Sequence, residues 1–162
     1  MKTIVVMLAI VILAVSMIAC GGGSSASSQT AALTAALTGQ WVGSATGSSF
    51  GTVGFGLNTG LEANQGGVYS CASGQAECLY ANTVVSGTSM DCTPQLSGVP
   101  VGITSSTNFT VTGQQTSQGA SLDTNMTING TYNSNTGTIS GTVSFSTAFC
   151  GPWVGTFTAT KQ

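Results

Sequence analysis

Near the C-terminus the chain alternates apolar and polar residues with a period of two, and that pattern constrains its fold more than any other feature. Between 122 and 132, Leu122, Met126, Ile128 and Tyr132 share one phase while Thr127, Asn129 and Thr131 take the other. Between 138 and 145, Ile139, Gly141, Val143 and Phe145 alternate with Thr138, Ser140, Thr142 and Ser144. Successive side chains of a strand point to opposite faces, so each stretch reads as an antiparallel strand with one buried face. Residues 133–137 supply the turn, where Gly137 takes positive φ at little cost. The core of such a chain is built from strand faces.

The same period recurs upstream. Trp41, Gly43 and Ala45 share a face opposite Val42, Ser44 and Thr46, and Val53, Phe55 and Leu57 follow after a turn at 47–49. Asn58, Thr59 and Gly60 are expected to close that second strand. A short strand at 68–71, strands at 80–86, 95–103 and 108–113, and a last strand at 153–159 complete the set. Pro94 and Pro100 predict an edge, a bulge or a break in the strand at 95–103, because proline lacks the ladder N–H. Ahead of the strands, residues 21–28 are small and polar and read as a flexible tether. Residues 29–37 are helix-compatible, with Leu33 and Leu37 on one face, placed to cover one end of a barrel.

The last strand echoes the first: Gly39-Gln40-Trp41-Val42-Gly43-Ser44 and Gly151-Pro152-Trp153-Val154-Gly155-Thr156 share a Gly-x-Trp-Val-Gly-Ser/Thr pattern. Pairing of first and last strands would close the sheet, with Gly43 and Gly155 relieving crowding in a tightly curved wall. About eight strands with mostly short connections give an all-β chain: a single antiparallel up-and-down β-barrel, with a β-sandwich as the alternative. The faces opposite the hydrophobes are Thr, Ser and Asn, so the barrel is read as water-soluble rather than membrane-spanning.

Charge narrows the function classes. Beyond residue 19 the only basic side chain is Lys161, near an end expected to fray, against Glu62, Glu77, Asp91 and Asp123. Without Arg or His the chain has no phosphate track and no base reader, which excludes nucleic-acid partners. It also has no Ser-His-Asp or Cys-His arrangement. A two-carboxylate hydrolase is the distant alternative; its four candidate acids fall in predicted turns or loop edges, where solvated carboxylates are ordinary. No metal-ligand series and no cofactor motif is present, and the domain reads as non-enzymatic.

The N-terminus carries Lys2, an apolar run over 4–18, and the junction Met17-Ile18-Ala19-Cys20-Gly21. The run is shorter than the roughly 20 residues that span a bilayer. The junction resembles the lipobox of bacterial lipoproteins. That resemblance implies a signal peptide over 1–19, acylation of Cys20 and a tether over 20–37. It further implies a bacterial cell-envelope location, with Gly21 pointing to the outer membrane and the membrane reached through the lipid anchor. A barrel domain over 38–162 follows. The other cysteines, Cys71, Cys78, Cys92 and Cys150, form an even set in an oxidising compartment and read as structural disulfides. Three pairings exist; Cys71 with Cys78 and Cys92 with Cys150 is the favoured one.

The Gly39-Gln40-Trp41 opening, the Gly130-Thr131-Tyr132 strand and the threonine-rich hairpins resemble the small calycin-type barrels, lipocalins and avidins included. Lipocalins cover the first-strand tryptophan with a late Arg, which this sequence lacks; avidins line their cavity with several tryptophans, where only Trp41 and Trp153 exist. The architecture leaves two functions open. One is a structural or interaction module for an envelope partner. The other is a binder of a small apolar ligand lined by Trp41, Phe55, Tyr80, Phe109, Met126, Tyr132, Phe145 and Phe157, residues that equally suit a plain core.

Overall fold

The computed structural model describes residues 25–47, 51–63, 77–87, 93–115, 124–146 and 152–162. One helix, α1 (Ser25–Leu37), precedes eight strands: β1 (Gly39–Gly47), β2 (Gly51–Ala63), β3 (Glu77–Ser86), β4 (Gln95–Ile103), β5 (Asn108–Gln115), β6 (Thr124–Asn133), β7 (Thr138–Ser146) and β8 (Trp153–Lys161). Each strand pairs antiparallel with the next, and β8 returns to β1, closing the barrel. The expected strand at 68–71 and the inward position at Leu122 lie outside the described residues.

The hairpin of β6 and β7 forms in unbroken register from Asn125↔Ser146 to Asn133↔Thr138. Its turn is set by the Gly137 N–H donating to the Asn133 carbonyl at 2.9 Å, with Gly137 at φ 64°. The Asn133 side chain accepts the Asn135 N–H at 3.0 Å, a local bond that favours turn over strand. Inside the barrel, Met126, Ile128, Ile139, Val143 and Phe145 are buried, as the alternation requires.

Closure between β1 and β8 runs from Trp41↔Lys161 to Gly47↔Gly155. The two glycines of the echoed motif make different room. A Cβ at Gly43 would fall on the Thr158 carbonyl oxygen of the neighbouring strand, so Gly43 permits close backbone approach at the closing seam. A Cβ at Gly155, or at its partner Gly47, would enter the ring of Trp153, so that pair forms a bed for the indole.

Two boundaries differ from the sequence reading. Residues 58–60 do not end β2, which continues to Ala63 opposite Glu77. Thr59 turns inward, and its hydroxyl donates to the Leu37 carbonyl, giving the strand a polar anchor under the helix. Glu62 and Glu77 therefore sit in the β2–β3 ladder, exposed, rather than in a turn. The helix starts at Ser25, four residues before the sequence pattern suggests.

α1 covers one end of the barrel. Leu33 and Leu37 are 2% and 0% exposed, and burying each contributes about 2 kcal/mol. The last turn of a helix leaves carbonyls without intrahelical partners; here the barrel and the following residue supply them. Thr38 N–H donates to Thr34 O at 3.1 Å, Lys161 Nζ to Ala36 O at 3.0 Å, and Trp41 Nε1 to Leu37 O at 2.7 Å. These bonds fix the helix on the barrel as well as end it. Among the described residues no helix is long and apolar enough to cross a membrane.

The wall is least regular at β4, as its prolines predict. The register against β3 shifts between Ala81 and Thr83, and Gly98 adopts φ 64°. Against β5 the ladder shrinks to Val101↔Val111, Gly102↔Thr110 and Ile103↔Phe109. Asn82 holds the displaced segment: its Oδ1 accepts both Ser97 Oγ and the Gly98 N–H at 2.9 Å.

Candidate functional site

Three regions could carry chemistry: the interior, the acidic and sulfur groups, and the outer wall. The barrel interior gathers all but one of the residues expected to line a cavity. Trp41, Phe55, Phe109, Met126, Phe145 and Phe157 are each at most 3% exposed, and Tyr132 is half-buried against them. Tyr80 is buried too but outside this core, because it shares the outer phase of β3 with Asn82 and Val84 while Leu79, Ala81, Thr83 and Val85 point inward. The core aromatics meet one another on the inner face of the wall, Phe145 with its cross-strand partner Trp153 and Phe55 with Phe157 over the intervening β1. Phe55 stacks on Phe157 with centroids 4.3 Å apart, Phe145 on Trp153 at 5.0 Å, and Trp41 meets the edge of Tyr132 at 6.1 Å. Such contacts are those of a close-packed core. The polar groups that do enter it are used by the fold: Thr83 Oγ1 donates to Gly56 O at 2.9 Å, and Thr59 bonds the helix end. Sequence reasoning puts Thr59 in a turn and Tyr80 on the inner phase of β3, and so misses both, although Thr59 continues the phase of Val53, Phe55 and Leu57 and Thr83 that of Leu79, Ala81 and Val85.

Lys161 is a third residue whose place the sequence concealed. Expected at a frayed end, it is instead held by Ala36 O, with Nζ 5.6 Å from the centroid of the Trp41 ring, while Gln162 N–H donates to Gln40 O at 2.9 Å. The first-strand tryptophan is thus covered by a cation from the end of β8. Its role is to tie helix, first strand and last strand together.

Cys78 stands half-buried at the start of β3 in a disulfide, with the Tyr80 hydroxyl 3.0 Å from its sulfur. Cys20, Cys71, Cys92 and Cys150, with Asp91 and Asp123, lie outside the described residues. Among the described residues no group of three or more His, Cys, Asp or Glu side chains is positioned to hold a metal ion. Glu62 and Glu77 lie exposed near one another on β2 and β3.

The outer wall carries a groove of about 290 Å³ across β1 to β4. Register explains its shape. Val42 pairs with Gly56 and Gly56 with Val84, so one row across three strands reads valine, nothing, valine. The missing side chain makes the dent, and Val84 leans toward it, its Cγ1 only 3.2 Å from where a Gly56 Cβ would stand. Two residues along, Gln40 pairs with Asn58 and Asn58 with Asn82, a second row made wholly of carboxamides. Gln95 and Ser97 of β4 close the far side. Trp41, Leu57, Thr83 and Leu96 also border the groove, but their side chains are buried inward, so they offer main chain there. Nothing in the linear pattern marks this site, because it exists only once three strands are in register.

The fold as a whole is compatible with the calycin-type architecture: a closed antiparallel up-and-down barrel of eight strands with one short helix. No protein-family model, no curated protein and no solved structure matches the chain.

Proposed function

We propose that the chain is a lipid-anchored cell-envelope protein whose barrel has a non-catalytic interaction role, exercised through its outer wall. The observation that carries this reading is the packed interior. The inward side chains of all eight strands and of α1 bury one another in a single hydrophobic cluster, which favours a filled lumen and leaves ligand contact to the outside. The support for the anchor is the leader: Lys2, the apolar run and the Ala19-Cys20-Gly21 junction resemble a lipobox, which makes Cys20 the candidate for acylation and a bacterial outer membrane the proposed location. The disulfide at Cys78 suits an oxidising compartment. Native mass spectrometry of protein gently extracted from membranes tests the reading. Acylated protein carrying an envelope partner supports it. A stoichiometric small apolar molecule inside the barrel would instead establish the carrier function. Retention of a Cys20→Ser form in the membrane fraction at wild-type level would remove the anchor.

A further inference from the structure

The groove on the outer wall has a chemistry of its own. Its rim is built from uncharged groups that both donate and accept: the carboxamides of Gln40, Asn58, Asn82 and Gln95, with the Ser97 hydroxyl. Among the described residues, the side chains of Gln40, Asn58 and Gln95 take no hydrogen bond from the fold, and Asn82 uses only its oxygen, which leaves its NH2 to the groove. The floor is Gly56 beside Val84, which is 37% exposed; Val42, level with Gly56 on the other side, stands just outside the groove. Among the described residues no charged side chain lines the groove. A ligand complementary to it presents hydroxyls along its edge and C–H groups on its face, and carries no ion, since nothing here would neutralise a desolvated charge.

We propose that this groove binds an uncharged, polyhydroxylated glycan, one ring seated over Gly56 with its hydroxyls on the carboxamide row. The inference deepens the interaction reading by naming the partner class. Because the groove is shallow and at the small end of ligand-site volumes, a single ring binds weakly, with a dissociation constant on the order of 1 mM. A polymer that offers many rings, held near the anchored protein, compensates by effective concentration.

The test uses the full chain, 15N-labelled, in a detergent without sugar headgroups, titrated with maltotetraose, cellotetraose and the tetramer of N-acetylglucosamine. Side-chain NH2 resonances of Gln40, Asn58, Asn82 and Gln95 report the site directly. The expected result is a saturable shift of these signals with at least one sugar. Binding is expected to weaken at least tenfold in Gly56→Val, which fills the dent, and about threefold or more in Asn58→Ala, whose side chain supports nothing in the fold. Ser140→Ala, exposed on β7, leaves it unchanged. The proposal is overturned if no sugar shifts these resonances at about 20 mM, well above the expected constant. It is also overturned if the shifts persist undiminished in both groove variants, or if a neutral polar peptide shifts them and the sugars do not. The titration reads the groove alone, so its failure leaves the test of the anchor standing, and a failed anchor leaves the titration standing.

Discussion

Trp41 and Trp153 open nearly the same short motif, yet they live in different surroundings at opposite ends of the barrel. The two strands pair antiparallel, so Trp41 comes to lie beneath α1, while Trp153 lies at the far end, beyond the Gly47↔Gly155 pair. Both are 1% exposed. Trp41 donates its indole N–H to Leu37 O, meets the edge of Tyr132 and lies under Lys161. Trp153 stacks on Phe145 over two glycines, and its buried Nε1 has no hydrogen-bond partner among the described residues. One tryptophan is a polar and apolar fastener between helix and barrel; the other is an aromatic plug. A motif therefore specifies where a large side chain goes but not what it does there.

The comparison can be broken or sharpened experimentally. The largest expected difference concerns sulfur. Cys78 is at the helix-covered end, while Thr93 and Pro152, the described residues next after Cys92 and Cys150, flank strand starts at the Trp153 end. One disulfide per end, Cys71–Cys78 and Cys92–Cys150, follows as the expectation. Cleavage at Glu62, Glu77, Asp91 and Asp123 places the four cysteines on four separate peptides, so unreduced digests identify the pairs by mass. Replacing Cys150 by Ser should cost up to about 4 kcal/mol and replacing Cys71 about 2.5 kcal/mol, read by denaturant unfolding, because the first closes the longer loop. Equal losses, or crossed peptides, would erase the distinction between the ends.

Next come the tryptophans themselves. Trp41→Phe is expected to cost about 2 kcal/mol, since it abandons a buried hydrogen bond as well as volume. Trp153→Phe should cost about 1 kcal/mol or less, because removing an unpaired indole N–H offsets part of the lost packing. A reversed order in urea melts would mean that the polar fastening of Trp41 is not what matters. A smaller effect is expected for Lys161→Gln, about 0.5–1 kcal/mol, from the loss of the ammonium over Trp41 and at the helix end. Amide exchange in α1 should quicken in this variant while that in the β6–β7 hairpin stays unchanged. Smallest of all, Val42→Thr and Val154→Thr should each fall within about 0.5 kcal/mol of the parent in thermal melts, as both side chains are exposed on the outer face.

Legibility followed the same division. The hairpin of β6 and β7, the inward set on β1, the first half of β2 and β8, the covering pair Leu33 and Leu37, and the irregularity at Pro94 and Pro100 were all readable, because each is a matter of local period or of a missing N–H. Readable too was the closure of β1 on β8, from the echoed motif. The end of β2 was misjudged, since Asn58, Thr59 and Gly60 look like a turn unless the helix above them is known. The interior aromatics were identified as residues except for Tyr80, which the two-residue period of β3 puts on the outer phase, and how the others pack depended on which strands come together.

What the sequence by itself determined is therefore the set of strands, the face each buries, and the consequence that eight such faces enclose one core. Those properties repeat every two residues and need no knowledge of a distant partner. Only the tertiary structure decided that Thr59 meets the helix end, that Lys161 leaves the free end to cover Trp41, and that Gly56 stands between two valines beside a row of carboxamides. Each of these depends on which residues of separate strands come level with one another, and register is a relation between segments that no single segment contains.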